Sequence, residues 1–222
     1  MSADPCLRYN DVQKLARHLL HLSRGRGRML IGIGGIPGAG KSTLARHLRD
    51  ALGHISQQPG NAVVVPLDGF HLTNEELEER ELVERKGSPD TFRAQSFFAK
   101  LIEIKRATVP VLMPMYSRQL HEPVQDALEV PPETPLVIAE GNYILCDFGV
   151  WRSIAALFDV KIFVDTPPER ARKWIIARHI EGGLISEEAE EKYETNDKPN
   201  ADLILPARNS VDIIFETPPG SL

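Results

Sequence analysis

The chain has 222 residues, 42% hydrophobic and 26% charged, with a formal net charge of −5 at pH 7. That length suits one large domain with a real core and room for an inserted lid. The acidic balance argues against a nucleic-acid surface, because backbone binding rests on an excess of Lys and Arg. The two cysteines, Cys6 and Cys146, lie far apart without a CxxC pair, so neither a disulfide framework nor a zinc site is indicated. No apolar run approaches the length of a membrane span, and "MSADPCLRYNDV" lacks a basic start followed by an apolar core. No membrane partner and a cytoplasmic location are expected.

In chain order, Val12, Leu15, Ala16, Leu19 and Leu22 share one helical face of "DVQKLARHLLHLSR". "MLIGIGG" reads as a buried strand, and "STLARHLRDALG" as a helix stopped by its glycine. "AVVVPL" is a second buried strand. "NEELEERELVERKG" and "AQSFFAKLIEIKRA" are helix-prone, with Phe97 and Phe98 of the second read as core. "PLVIAEG" and "VKIFVDT" are further apolar runs, each ending in an acid and a small residue, with the helical "VWRSIAALF" between them. "PERARKWIIARHIEGG" and "SEEAEEKYETND" form a charged helical pair, and "ADLILP" and "VDIIFE" read as short strands. Pro131, Pro132 and Pro135 mark a loop rather than a linker, so residues 1–222 are expected to form one domain. Strands alternating with helices predict βαβ units: an α/β protein of three α/β/α layers with a mainly parallel sheet of about five strands. In such sheets ligands collect beyond the carboxyl ends of the strands, where Asp68, Glu140 and Asp165 fall.

"GIPGAGKS", Gly35 to Ser42, satisfies GxxxxGK[ST] between a predicted strand and a predicted helix, the context of a P-loop NTPase fold. The backbone of Gly35, Ile36, Pro37, Gly38, Ala39 and Gly40 would wrap a phosphate chain, with Lys41, Ser42 and Thr43 opening the helix beneath it. Lys41 would reach the β- and γ-phosphates of ATP, and Ser42 would ligate Mg²⁺. The dinucleotide fingerprint GxGxxG fails at Pro37. The base-reading NKxD of GTP switches is matched only in the wrong order by "NDKP", Asn196 to Pro199. A motor or AAA-type machine would be longer, so the size favours a small-molecule kinase.

A kinase must orient an acceptor hydroxyl and take its proton, and a carboxylate near the cradle suits both tasks. Asp68 ends the second strand, in "VVVPLDGFH". The competing role is a helix N-cap, but Thr73 or Asn74 fills it better, directly before "EELEER". Gly69 would leave space for the acceptor, and Phe70 and His71 would wall it, with a structural hydrogen bond the alternative for His71. Glu140 could hold Mg²⁺, bind an acceptor hydroxyl, or be a buried paired carboxylate. Asp165 reads as a cap or loop residue. Arg170, Arg172, Lys173 and Arg178 could close over the moving phosphoryl group or form a solvated face.

"LDGFHLTNEELEERELVERKGSPDTF" resembles the segment after the second strand in the phosphoribulokinase/uridine kinase/pantothenate kinase family. It is especially similar to pantothenate kinase and to a fructose-transport-system or nucleoside-kinase-like subgroup. "PMYSRQLHEP" resembles the family's PxYxR acceptor stretch, "VIAEGNYIL" its EGxxxL strand end, and "RHIEGGLISEEAEEKYETNDKPNADLILP" the subgroup's lid with its NDxPNA signature. The resemblance implies that Asp68 is the catalytic base. It implies acceptor contacts at Tyr116, Arg118, Glu140 and Asn142, and a lid over roughly 168–198 from which Arg178 contacts the nucleotide or transition state. It also points three ways for the acceptor: pantothenate, a sugar or a nucleoside. A homodimer is left open. Two other functions compete. A nucleotide-binding regulator would need no acceptor-side base. A nucleoside monophosphate kinase would need a second arginine-rich phosphate site, for which Arg93 and Arg118 are the candidates.

Overall fold

The computed structural model describes residues 6–218. Six parallel strands form the main sheet: β1 (Leu7–Tyr9), β2 (Met29–Gly34), β3 (Ala62–Pro66), β6 (Leu136–Glu140), β7 (Val160–Asp165) and β8 (Ile213–Glu216), in the order β1-β8-β7-β2-β6-β3. All six residues of β2 and all five of β6 are buried, which is why these central strands read as unbroken apolar runs. Two helical pairs flank the sheet: α1 (Val12–Ser23) against α2 (Lys41–Ser56), and α4 (Ala94–Arg106) against α5 (Gly149–Ala155). The expected three-layer arrangement is therefore present, with one strand more than anticipated. The addition is β1, three residues long and paired with β8 at the sheet edge.

Three elements depart from the sequence expectation. The charged segment after Thr73 is helical only over α3 (Asn74–Glu79). Glu81 adopts φ 56°, Leu82 N–H donates to Leu77 O at 2.8 Å and Glu81 N–H to Glu78 O at 3.1 Å, a Schellman ending that stops the helix despite its helix-favouring composition. Residues 111–130, for which no strand was expected, form an antiparallel hairpin of β4 (Val111–Ser117) and β5 (Glu122–Val130), with a register shift around Pro114. "ADLILP", expected as a strand, belongs to α8 (Lys198–Ile204) and the 3₁₀ turn after it. Asn200 and Ile204, four apart, face inward there and Leu203 faces solvent, so a helical period governs the short apolar run.

One hydrophobic core joins the sheet to its helices. α6 (Pro168–Glu181) and α7 (Ser186–Lys192), which span the segment expected as a lid, carry a small separate cluster of Ile175, Ile176 and Ala189, packed by Leu184 and Tyr193. No helix among the described residues is long and apolar enough to cross a membrane.

The loop from β2 into α2 meets the lid directly. Gly38 has φ 75°, and a Cβ there would collide with the backbone carbonyl of Ala171 in α6. Gly40, at φ 87°, caps α2 in the left-handed region. Gly38→Ala should lower stability by about 1–3 kcal/mol, through backbone strain and this collision. The check is the urea midpoint; an unchanged midpoint would mean that loop and lid do not touch as described.

Candidate active site

Sheet register assembles the site. Glu140, the last residue of β6, lies opposite Ile33 of β2 on one side and Pro66 of β3 on the other. Because β6 runs between β2 and β3, Glu140 stands between the glycine loop and the turn that carries Asp68. It is 5% exposed, and Ser42 Oγ donates to its Oε1 at 2.9 Å. Lys41 is 8% exposed and donates from Nζ to the Ile36 carbonyl at 2.9 Å, so its ammonium lies within its own loop.

These buried charges perturb one another. Burial, and then the neighbouring Asp68 charge, push the Glu140 carboxyl up to about 7; Lys41, the Ser42 hydroxyl and Arg178 pull the other way. Burial pushes the Lys41 ammonium down to about 8, helped by Arg178 and opposed by Glu140, Asp68 and Asp197. Lys41, Asp68, Glu140, Arg178 and Asp197 thus share one electrostatic site.

Asp68 sits in a 3₁₀ turn, Leu67–Phe70, whose other members Leu67, Gly69 and Phe70 are buried. The turn drives Leu67 and Phe70 inward and leaves the carboxylate at the surface. Thr73 takes the helix cap: its Oγ1 accepts from Glu76 N–H at 3.3 Å while Glu76 Oε2 accepts from Thr73 N–H at 2.8 Å. Capping therefore does not explain Asp68. Two neighbouring expectations are corrected. A Cβ on Gly69 would strike the Pro114 carbonyl, so the missing side chain admits strand β4 and leaves no space for an acceptor. Phe70 packs into the core, edge-on to Phe97 at 5.1 Å between ring centroids, so it does not wall the acceptor side.

His71 lies beside Tyr116, the other aromatic residue expected on the acceptor side. Its ring stacks on Phe92 at 4.0 Å and tilts against Tyr116 at 5.4 Å. Its Nδ1 is buried without a hydrogen-bond partner, as is Ser88 Oγ, among the described residues. Burial holds the imidazole pKa below its ordinary value, in spite of Asp68. Burial, Asp68 and Glu122 raise the Tyr116 phenol. Arg118 is exposed in the hairpin loop, and Asn142 is half-buried in the turn after Glu140; neither forms a side-chain hydrogen bond or ion pair among the described residues. Asp165, expected as a cap or loop residue, is held by Arg208 at 2.7 Å.

The lid's cations divide by partner. Arg170 donates to the Thr217 and Pro218 carbonyls at 3.1 Å each, and Arg172 pairs with Glu190. Arg178 is exposed, and its charge reaches Lys41 and Glu140. Arg93 donates to the His71 carbonyl at 3.0 Å and pairs with Glu76, so it braces the loop rather than offering a free guanidinium.

Sequence reasoning missed several residues at this mouth. Lys86 Nζ lies 5.5 Å from the Tyr116 ring centre, held by Asn74 Oδ1 at 2.8 Å and the His121 carbonyl at 2.9 Å. Asp197 is 8% exposed and meets His179 Nε2 at 2.7 Å. "NDKPN" was set aside as a failed base-reading motif and kept only as a family signature. The available signal was Asn196 and Asn200, four apart on one helical face within a charged lid.

Comparison with known proteins identifies the family. Residues 30–221 match the model of the Phosphoribulokinase / Uridine kinase family. The chain belongs to that family. A solved structure from Silicibacter sp. TM1040, described as a "putative fructose transport system kinase", shares 36% identity at a TM-score of 0.84, covering 94% of this chain and 99% of that one. The "Putative uridine kinase C227.14" of Schizosaccharomyces pombe is 31% identical over 94% of this chain and 88% of its own length. A pantothenate kinase of Nocardioides sp. is 30% identical over 86% of this chain and 66% of its own length. The protein is therefore a P-loop phosphotransferase of the class that acts on hydroxyl groups.

Glu140 gives the site a pH signature. Between its ordinary value of 4.5 and about 7, the folded protein keeps a proton that the unfolded chain has released, so this group's contribution to stability falls as pH rises through that window. Gln cannot titrate. The melting temperature of Glu140→Gln relative to wild type should therefore shift in the variant's favour between about pH 5 and about pH 8. A pH-independent difference would contradict the buried, proton-holding carboxyl.

Proposed function

We propose that the protein transfers the γ-phosphate of ATP to a hydroxyl of a small polar metabolite, within a single domain that carries both substrate sites. The observation that carries this reading is the position of Asp68. Its carboxylate is exposed in the 3₁₀ turn that follows β3, and its charge acts on Lys41 and Glu140 and also on His71 and Tyr116. A group placed between a phosphate cradle and a polar wall can orient an alcohol and accept its proton.

The remaining roles follow from chemistry. The loop from Gly35 to Gly40 and the start of α2 at Lys41, Ser42 and Thr43 would hold the triphosphate through backbone N–H groups, with Lys41 giving up the Ile36 carbonyl for phosphate oxygens. Arg178 would neutralise charge on the moving phosphoryl group. Ser42 and Glu140 fit a Mg²⁺ ion: a hydroxyl and a carboxylate are already in contact, and burial beside Asp68 makes the Glu140 negative charge unfavourable until a cation offsets it. The ion would screen the phosphate oxygens during transfer.

On the acceptor side, His71, Tyr116, Arg118 and Asn142 offer polar groups, and the buried Nδ1 of His71, without a partner among the described residues, favours a hydroxyl-rich acceptor such as a sugar or nucleoside. The relatives named above for fructose transport and for uridine agree with that class, while the pantothenate kinase extends it to a hydroxy acid amide. The nucleoside monophosphate reading loses support because Arg93 is already engaged. The regulator reading accounts for none of the acceptor-side arrangement around Asp68.

Asp68→Asn should reduce acceptor-dependent ADP release by about 10²–10⁴-fold, the usual worth of a general base. Nucleotide affinity should be retained. A screen across ketoses, nucleosides, pantothenate and ribulose 5-phosphate supplies the acceptor; turnover unchanged in Asp68→Asn would remove Asp68 from the base role. ADP release that no acceptor stimulates would favour the regulator.

A further inference from the structure

The lid's last turn is its least ordinary part. Tyr193–Asp197 is a π-helical turn, a geometry that recurs at functional positions. In an otherwise charged and exposed segment it buries Asn196 and Asp197, each 8% exposed, and the following turn of α8 buries Asn200, 5% exposed. Buried polar side chains are retained where their hydrogen bonds are made, and these are made in two directions. Toward the lid, Asp197 Oδ2 meets Nε2 of His179 at 2.7 Å, and His179 adjoins Arg178. Toward the acceptor side, Asn196 Nδ2 donates to the Lys86 carbonyl at 2.9 Å, while Asn200 Nδ2 donates to Asn196 Oδ1 at 3.2 Å and orients that amide. Beside that carbonyl, Gly87 accepts from Tyr143 Oη at 2.7 Å, and the Lys86 side chain reaches over Tyr116.

We infer that Asn196 and Asp197 are positioning residues that join the helix bearing Arg178 to the acceptor-side loop, so that nucleotide binding at the lid orders that loop. The inference rests on the kinase reading above and adds to it a route between the two substrate sites. The physical basis is the cost of separation. Were the lid to move alone, the Asn196 amide and the Lys86 carbonyl would be pulled apart from a site where their bond is already made. Lid and loop therefore move together, and ordering one favours ordering the other.

Amide hydrogen exchange with Mg²⁺ and the non-hydrolysable analogue AMP-PNP tests this without knowledge of the acceptor. In wild type the analogue should slow exchange in the glycine loop, in the lid over 168–198, and in residues 83–93. In Asn196→Ala the first two responses should persist, while the response in 83–93 should fall by about 2- to 10-fold, the worth of one amide hydrogen bond. Asn196→Asp, close in size but unable as a carboxylate to donate to the carbonyl, should behave the same way and serves if the alanine variant folds poorly. Asp197→Asn, which keeps an oxygen for His179, should preserve the lid response around Arg178 that Asp197→Ala loses. A response in 83–93 that is absent in wild type, or equal to wild type in both Asn196 variants, overturns the link. No response at the glycine loop of wild type overturns the kinase reading as well.

Discussion

A lysine and a glutamate, Lys41 and Glu140, are both buried at the mouth of the sheet within each other's electrostatic influence, and most of the site can be derived from the cost of keeping them there. Neither group is comfortable: burial drives the lysine down to about 8 and the glutamate up to about 7, each toward neutrality. Taking two such groups out of water costs more than their mutual attraction readily returns. A protein built for stability alone would fill the space with apolar side chains. The charges are intelligible as a site prepared for ligands that carry charge themselves: phosphate oxygens for Lys41, and a cation for Glu140 with Ser42.

The strand order makes that preparation possible. With β6 lying between β2 and β3, the carboxyl ends of three adjacent strands present the glycine loop, Glu140 and Asp68 in a row. On the proposed reading, nucleotide and acceptor would occupy neighbouring strand ends of one sheet. The helices add to this row the start of α2, with Lys41 and Ser42, and Arg178 of α6. The surroundings of His71, the proposed acceptor wall, are different, because they are borrowed. Tyr116 comes from the β4–β5 hairpin, Phe92 from the loop before α4, and Lys86 from the turns after α3, and they meet at His71 and Tyr116 by packing rather than by strand register.

This division explains what could be read in the sequence. "GIPGAGKS" specifies its own geometry through glycines at φ 75° and 87° and a helix start, all within eight residues. Asp68 and Glu140 were legible because a buried strand must end somewhere and each run ends in an acid. Phe70 was misread because Leu67–Phe70 is a 3₁₀ turn, whose side chains do not alternate as a strand's would. Gly69 was misread because its neighbour, Pro114, comes from a distant hairpin. That hairpin left no pattern: β5 is exposed along most of its length and β4 carries Pro114 at its register shift, so apolar alternation never develops. Asp197 was hidden for another reason. Its burial depends on a π turn, a local rewinding that neither period 2 nor period 3.6 announces.

The least legible residues make sense in light of what a kinase has to avoid. Water is a smaller and far more abundant nucleophile than any metabolite, and a cradle that activates ATP without an acceptor would hydrolyse it. Excluding that reaction requires that the groups acting on the phosphate assemble only when the acceptor side is also in order. Apolar contacts between lid and loop would be a poor means, since they slide at little cost. A directed amide-to-carbonyl bond from Asn196, with Asp197 fixing the neighbouring turn through His179, tolerates only one relative placement of the two parts. Directional polar contacts confined to the seam between two substrate sites, with ordinary apolar packing on either side, are what that requirement predicts.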